Sequence, residues 1–320
     1  MHVVSATGPI LDHILDSSHA LWGEGLSRKA YAQFNVSQLA TRWGRSHLDR
    51  VALVEKGRVL SSAKRYTLEL SIDGRAARAL GIGAVFTPPD LRGHGFARQL
   101  LDRLIDDAAR QGDDVALLFS EIGAAYYARA GFSVVPRDTL RLAVARKPGA
   151  PGVVMRTGET RDLPLMAAMD AELAARYRLH LRRSPEWIEY GVAKKRLFSG
   201  LGPAGARDTL FFVVEEGGRA VAYVIVVATS HGWTLEECGD RDPSGARAGA
   251  LLQALIAREP AAAPPLMMGW LPEGWLPPQL TIVSRAAAEQ VMMIRPLPAV
   301  GRIDPPLAPV DVHYWHGDAF

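Results

Sequence analysis

The hydrophobic positions along the chain switch between helical and strand periodicity in an order that predicts a mixed α/β fold. From 9 to 43, apolar residues recur at helical spacing and predict two helices. Strand-like runs follow, and the pairs Lys56-Gly57 and Asp73-Gly74 favour tight hairpin turns between them. The predicted strands cover 51–55, 58–63, 66–72 and 81–87. A helix over 96–111, a strand over 115–119 and a strand after Gly131-Phe132 complete the first half.

A similar order of elements begins again after 147–152, a short segment rich in proline and glycine. Ser184-Pro185 is typical of a helix start, with a capping serine before a proline at the first helical position. The predicted helices cover 161–180, 184–197 and 246–257, and the predicted strands 209–214, 220–229 and 233–237. We therefore predict two domains, 1–146 and 153–320, joined by a linker at 147–152.

The segment that enters the predicted helix at 96 indicates a binding site for a phosphate-bearing ligand. Glycines at 93 and 95 let the backbone approach an anion closely, and Ala97 keeps the first helical turn slim. Free amides at a helix start, together with the helix dipole, favour negative charge. Arg92 adds a guanidinium suited to phosphate oxygens. The order strand, glycine loop and helix therefore predicts a cradle for a pyrophosphate.

Two common nucleotide sites do not fit this segment. A nicotinamide-binding fold needs an acidic residue at the end of the next strand, and a Walker loop needs Gly-Lys-Ser or Gly-Lys-Thr. Neither pattern is present.

The spacing Arg-x-x-Gly-x-Ala over 92–97 resembles the acetyl-CoA signature of the GNAT N-acetyltransferases. A second element supports the resemblance: the apolar run 115–119, then Ser120-Glu-Ile-Gly-Ala-Ala-Tyr-Tyr, then Gly131-Phe132. This matches the family's fifth strand, the next helix with its tyrosine, and the start of the following strand. The resemblance implies an α/β (α+β) fold of tandem GNAT-like domains, each a mixed, mostly antiparallel sheet flanked by helices.

The resemblance also implies roles for particular residues. The amides of Val85, Phe86 and Thr87 would receive the pantetheine and polarise the thioester carbonyl. Tyr127 would protonate the departing CoA sulfur, with Tyr126 as the alternative if the alignment is off by one. The pyrophosphate would be held by Arg92 and by the amides of Gly93, His94, Gly95, Phe96 and Ala97, with the His94 side chain at the surface.

The general base is less clear from the sequence. Many GNATs carry a glutamate near the strand before the cradle, yet 80–87 contains no acid. Glu121 and Glu69 are the nearest acidic candidates, and each has a surface or structural role as its alternative.

The last ten residues offer another candidate base. Eis-like enzymes place a C-terminal carboxylate in the acceptor site, and this sequence likewise stops at an aromatic residue, Phe320. We expect the carboxylate of Phe320 or Asp318 to orient the amine, and Trp315 and Tyr314 to wall its alkyl chain. A frayed tail is the alternative.

Tandem architecture resembles both the Eis-like acetyltransferases and the fungal enzymes that acetylate free lysine. The second likeness lies in Trp22-Gly-Glu-Gly-Leu-Ser, Leu60-Ser-Ser-Ala-Lys-Arg-Tyr66, Gly83-Ala-Val-Phe-Thr-Pro-Pro and Phe119-Ser-Glu-Ile-Gly. It implies an acetyl-CoA-dependent N-acetyltransferase acting on a small primary amine, lysine first. The alternatives are an aminoglycoside or polyamine acceptor, or a non-catalytic CoA-binding regulator.

The second repeat differs at its cradle. If Gly245 corresponds to Gly95, then Asp242 stands where Arg92 stands in the first half. A carboxylate facing a pyrophosphate is repulsive, at a cost of roughly 1–4 kcal/mol. We therefore expect the second repeat to bind no CoA.

Composition excludes several other classes. Basic residues exceed acidic ones by only three, 37 against 34, and are scattered, which argues against nucleic-acid binding. The sole cysteine, Cys238, rules out an intrachain disulfide or zinc cluster. The N-terminus lacks the features of a signal peptide, and the longest apolar run, 220–228, is too short to span a bilayer. We expect a cytoplasmic protein without metal or membrane partner, and leave homo-oligomerisation open.

Overall fold

The chain forms two compact units, each assembled from separate stretches of sequence. The computed structural model describes residues 1–145, 152–259 and 265–320. The first unit comprises 1–136, 289–307 and 320, and the second comprises 137–288 and 308–319. The predicted linker 147–152 lies outside the described residues except for Gly152. Exchange of segments between the halves is a feature that the predicted division into 1–146 and 153–320 did not include.

Helices of the first unit are α1 (Gly8–Trp22), α2 (Arg28–Ala40), α3 (Gly44–His47), α4 (Phe96–Arg110) and α5 (Ala125–Ala128). Those of the second unit are α6 (Leu163–Ala174), α7 (Pro185–Leu201) and α8 (Ala246–Ala257). Within the described ranges, none of these helices combines the length and the apolar character needed to cross a membrane.

Strands of the first half are β1 (His2–Ser5), β2 (Leu48–Glu55), β3 (Arg58–Ile72), β4 (Arg75–Phe86), β5 (Val115–Ser120), β6 (Ser133–Val134) and β7 (Asp138–Val144). Next come β8 (Met155–Thr157), β9 (Leu179–Leu181), β10 (Arg207–Glu216), β11 (Arg219–Thr229), β12 (Gly232–Asp240), β13 (Met267–Gly269) and β14 (Leu280–Ala287). The last two are β15 (Val291–Pro296) and β16 (Val312–His313). The mixed, mostly antiparallel pairing of these strands confirms the predicted α/β fold class.

The sheet of the first unit has the order β1-β2-β3-β4-β5-β15-β6. Two hairpins form as predicted, because Lys56 and Gly57 have φ of 48° and 80°, and Asp73 and Gly74 have φ of 50° and 76°. Such paired left-handed residues match the twist of the flanking strands. Strand β3 is continuous where two strands were predicted, since Lys64 and Arg65 pair with β4 on one side and β2 on the other.

Helix α4 covers one face of this sheet. Its buried residues recur at helical spacing and pack into a single core with the inward residues of β2, β3, β4 and β5; they are Leu100, Leu101, Leu104, Ile105 and Ala108. Strand β15 contributes Met293 to the same core and pairs antiparallel with β5. The parallel pairing of β4 with β5 across α4 is the strand-helix-strand unit that the sequence predicted.

The sheet of the second unit has the order β14-β7-β13-β12-β11-β10-β8. Helix α7 starts as predicted, with the Ser184 hydroxyl accepting from the Trp187 amide at 3.2 Å. The predicted helix over 161–180 is too long: α6 ends at Ala174, and Leu179–Leu181 forms β9, parallel to β16. The strand partner comes from a distant part of the chain, so local periodicity alone did not indicate it.

Candidate active site

A break in the pairing of β4 marks the candidate site of the first unit. Strands β4 and β5 pair in parallel from Ala79 opposite Val115 to Ile82 opposite Leu118, and the ladder stops there although both strands continue. On the other side of β4 the register shifts, so that a bulge falls between Gly83 and Phe86. The main-chain N–H and C=O groups of this bulge therefore do not take part in a regular ladder of hydrogen bonds between strands.

Ala84 lies at the centre of the bulge with φ of 46°. A left-handed conformation at a residue with a Cβ costs roughly 1–3 kcal/mol and is retained mainly where the surrounding structure enforces it. Bulges also re-aim the neighbouring main chain. The predicted pantetheine-binding residues Val85, Phe86 and Thr87 follow Ala84 directly.

The turn after β4 is held by short polar contacts. The Ser61 hydroxyl donates to the Phe86 carbonyl at 2.9 Å, and the Thr87 hydroxyl donates to Ser61 Oγ at 3.2 Å. A 3₁₀ turn at Pro89–Leu91 follows, and Leu91 is buried in the core beneath α4. The exposed Arg92 donates from Nε to the Thr87 carbonyl at 3.3 Å, so its guanidinium stays beside the loop.

The start of α4 has the geometry that the cradle requires. Gly93 and Gly95 have φ of 83° and 78°, and a Cβ built at either position meets no atom within 4 Å. These glycines are thus needed for backbone conformation and not for space. Gly95 is the N-cap of α4, and no side chain caps the helix there. The amides of the first turn are therefore not occupied by a side-chain cap, and helix-start amides of this kind favour anions. His94 is exposed, as predicted, and its ring stacks on Phe96.

Tyr127 is buried in the same side-chain cluster that Val85 and Phe96 border. Burial, with smaller contributions from Tyr126 and Glu121, raises the pKa of Tyr127 to about 12. A phenol with this pKa stays protonated at neutral pH. Tyr126 is half-buried under the Arg129 guanidinium, which lies 5.8 Å from its ring centre.

Two acidic candidates lie at the surface. Glu121 is exposed and accepts a hydrogen bond from Gln290 Nε2 at 3.3 Å. Glu69 is exposed on β3, where it pairs with Arg78 of β4.

Phe320 packs on the face of the first unit's sheet opposite to α4. Its ring centre lies 4.5 Å from that of Tyr66 and 5.4 Å from that of Phe119. A Cβ at Gly81 would lie 2.8 Å from Phe320 Cζ, and one at Gly83 would lie 3.2 Å from the Phe320 main-chain oxygen. The two glycines in β4 therefore make room for Phe320. Glycine inside a strand is the signal that the sequence offered for this close approach, and its meaning was missed.

The rest of the tail belongs to the core of the second unit. Asp318 is 3% exposed, accepts from Trp187 Nε1 at 2.7 Å and lies 3.2 Å from the Arg183 guanidinium. The Trp315 indole donates to Asp170 at 2.7 Å, and the Tyr314 side chain is buried. These residues anchor the tail, so the expectation that Asp318 acts on an amine and that Trp315 and Tyr314 wall its alkyl chain is not supported. The frayed-tail alternative is not supported either.

The second unit also has a left-handed glycine at a helix start, but there a carboxylate of the protein itself accepts hydrogen bonds from the helix-start amides. Gly245 is the N-cap of α8 with φ of 73°. The Asp240 carboxylate accepts from the amides of Arg247 and Ala248 at 2.7 and 3.0 Å. Burial raises the pKa of Asp240, and its amide hydrogen bonds oppose that rise. Asp242, which the sequence placed opposite a phosphate, is partly exposed and accepts hydrogen bonds from the Ser244 amide and hydroxyl instead.

Comparison with known proteins finds a family model that matches part of the chain. Residues 15–135 match the family model described as an acetyltransferase (GNAT) domain. No curated protein matches the chain in sequence.

Three solved structures are similar in fold. A probable N-acyltransferase from Enterococcus faecalis V583 superposes with a TM-score of 0.67 at 14% identity, covering 92% of this chain and 72% of its own. Eis1 from Mycobacterium abscessus has a TM-score of 0.57 at 15% identity, covering 92% and 74%. The N-myristoyltransferase of Saccharomyces cerevisiae with bound myristoyl-CoA has a TM-score of 0.51 at 12% identity, covering 80% and 70%. Residues 15–135 thus match a GNAT acetyltransferase domain, and the solved structures share the fold over most of the chain.

Proposed function

We propose that the protein transfers an acetyl group from acetyl-CoA to the primary amine of a small molecule, with lysine or a lysine-like compound as the first candidate. The observation that carries the proposal is the bulge at Ala84 beside the uncapped start of α4, with Tyr127 in the cluster that borders both. The yeast N-myristoyltransferase supports an acyl-CoA ligand for this fold, because its structure contains myristoyl-CoA.

Each part has a proposed role in binding. Arg92 and the amides of 93–97 bind the pyrophosphate, since helix-start amides and a guanidinium both favour phosphate oxygens. The amides of Val85, Phe86 and Thr87 accept the pantetheine arm and the thioester oxygen, where they oppose the charge that develops during attack.

Tyr127 is the proposed general acid. As the thioester carbon–sulfur bond breaks, the sulfur takes the phenolic proton and leaves as the neutral thiol of CoA. The attacking amine must be neutral beforehand and loses one proton afterwards, and a proton from solvent restores the Tyr127 phenol, so that the cycle balances. We propose that Phe320 shapes the acceptor site through its ring and its main-chain oxygen at Gly83. Glu121 remains a candidate for accepting the amine proton through water.

The test is thiol release from acetyl-CoA over a panel containing lysine, polyamines and aminoglycosides, with product mass as confirmation. We expect amine-dependent release that is greatest for lysine or a close relative. If thiol release is greatest with aminoglycosides or polyamines, the acceptor belongs to that class and is not lysine. Binding of CoA without release for any amine would indicate a non-catalytic regulator, and absence of CoA binding would contradict the proposal.

A further inference from the structure

Arg50 is a buried cation without an acidic partner among the described residues. The residue is 3% exposed, and among the described residues none of its three guanidinium nitrogens has a hydrogen-bond partner. Burial lowers the pKa of Arg50, and the nearby phenols of Tyr31 and Tyr66, with a smaller hydrogen-bonding contribution from Tyr31, only partly oppose this. Buried charges in proteins are nearly always paired, because an unpaired one loses its hydration without compensation. Such a group calls for an explanation outside the protein's own contacts.

The strand register places a second cation beside Arg50. Arg50 of β2 lies directly opposite Lys64 of β3, so two cations form a cross-strand pair. Like charges in this position are destabilising. The neighbouring pair shows the ordinary arrangement: Asp49 lies opposite Arg65, 3.3 Å from its guanidinium, and also accepts from the Ser5 hydroxyl. Because successive side chains of a strand point to opposite faces of the sheet, the Asp49 carboxylate cannot form an ion pair with Arg50.

The face that carries Arg50 is the one that carries Phe320. Lys64 pairs with Gly83 on β4, so Arg50, Lys64 and Gly83 form one row across three strands. Strands are spaced by about 4.8 Å, which separates the Cα atoms of Arg50 and Gly83 by roughly 10 Å. The next row on the same face, two residues away, pairs Tyr66 with Gly81. The Tyr66 ring packs against Phe320, and its phenol is close enough to Arg50 to affect the pKa of Arg50.

Neutral side chains contact the row on the side of α2. Lys64 donates from Nζ to Gln38 Oε1 at 3.0 Å, and Gln38 is fully buried on α2. The Tyr31 hydroxyl is shared with Ser18 at 3.1 Å. None of these side chains carries a negative charge, so the row favours an incoming anion and disfavours a second amine.

We propose that Arg50 is a specificity-determining residue that binds the carboxylate of an amino-acid acceptor whose primary amine lies at Gly83. The inference rests on the proposed function. An acceptor with about five carbon atoms between amine and carboxylate carbon spans roughly 7 Å when extended, which suits a row of this length with a long arginine side chain at one end. A planar guanidinium matches a carboxylate through two parallel hydrogen bonds. Polyamines and aminoglycosides lack that group and bring further positive charge toward Lys64.

The test compares acceptors that differ in the carboxylate. For the full chain with acetyl-CoA, kcat/KM is measured with lysine and cadaverine, and with 6-aminohexanoate and hexylamine. We expect the carboxylate-bearing member of each pair to be preferred by about 10- to 150-fold, the range of a hydrogen bond to a charged group. In Arg50→Met this ratio should fall close to one.

The matched control is Arg65→Met, which removes an arginine from the neighbouring β3 position on the opposite face of the sheet and should keep the wild-type ratio. Equal use of lysine and cadaverine by the wild type, or an unchanged ratio in Arg50→Met, would overturn the inference while leaving acetyl transfer intact. If Arg50→Met does not fold, the wild-type ratio decides, together with thermal stabilisation by 6-aminohexanoate and not by hexylamine. Failure of every amine to release CoA would instead contradict the proposed function.

Discussion

Tyr127 offers the most direct test of the proposed chemistry. Its pKa of about 12 keeps the hydroxyl protonated throughout the neutral range, so activity should not decline through its ionisation until strongly alkaline pH. We expect Tyr127→Phe to lower kcat roughly 100-fold, the usual scale for loss of a general acid, with CoA affinity unchanged. Steady-state kinetics and calorimetry measure the two effects. Tyr126→Phe is the control, and a larger loss there would move the role to Tyr126.

Gly81 should be intolerant of any side chain. A Cβ there would lie 2.8 Å from Phe320 Cζ and 2.9 Å from Tyr66 Cβ. We expect Gly81→Ala to lower the free energy of unfolding by about 1–3 kcal/mol through overpacking, measured by urea denaturation. In a Phe320→Ala background the cost should be smaller, because the shortest of the three close contacts, which also include Leu68 Cδ1 at 3.0 Å, is gone.

A glycine in open space provides the control for Gly81. Gly200 of α7 has no atom within 4 Å of a built Cβ and no left-handed φ, so Gly200→Ala should not destabilise the protein. An equal cost of Gly81→Ala with and without the Phe320 ring would contradict the packing account.

The start of α4 concentrates the ligand-binding features in one element. Gly95 combines a left-handed φ with an uncapped helix start, so it affects both backbone strain and local charge. We expect Gly95→Asp to abolish CoA binding in calorimetry, since a carboxylate would meet the phosphates, while unfolding stays cooperative. Gly95→Ala adds strain without charge and should weaken binding far less. Unchanged CoA affinity in Gly95→Asp would refute the cradle.

Among the helices of the described ranges, α4 and α8 both have a glycine N-cap, and we expect α4 alone of these two to bind a phosphate. Helix α4 has no side-chain cap, whereas the amides of α8 already bond the Asp240 carboxylate. We therefore expect one CoA per chain, with calorimetric titration as the measurement. A stoichiometry of two would show that Asp240 yields to the ligand, and the second unit would then need a function of its own.

Much of the site could be predicted because its constraints are local. Left-handed glycines at 93 and 95, the hairpin pairs at 56–57 and 73–74 and the helical period of α4 each depend on neighbouring residues alone. Backbone sterics and periodic burial act over a few residues, so the residue order carries them directly. The resemblance to the GNAT signature arose from the same segment and is confirmed over 15–135.

The tertiary structure decided what depends on distant partners. Residues 291–296 lie beside β5, Leu179–Leu181 became a strand through β16, and Phe320 fills the space above Gly81 and Gly83. In each case the partner is tens to hundreds of residues away in sequence, where local periodicity carries no information. Arg50 is the clearest example: its residue type suggests an exposed charge, and only burial without an acidic partner among the described residues makes it a candidate for binding an anion. The sequence by itself thus determined the proposed cofactor cradle, whereas three-dimensional packing determined the proposed acceptor face.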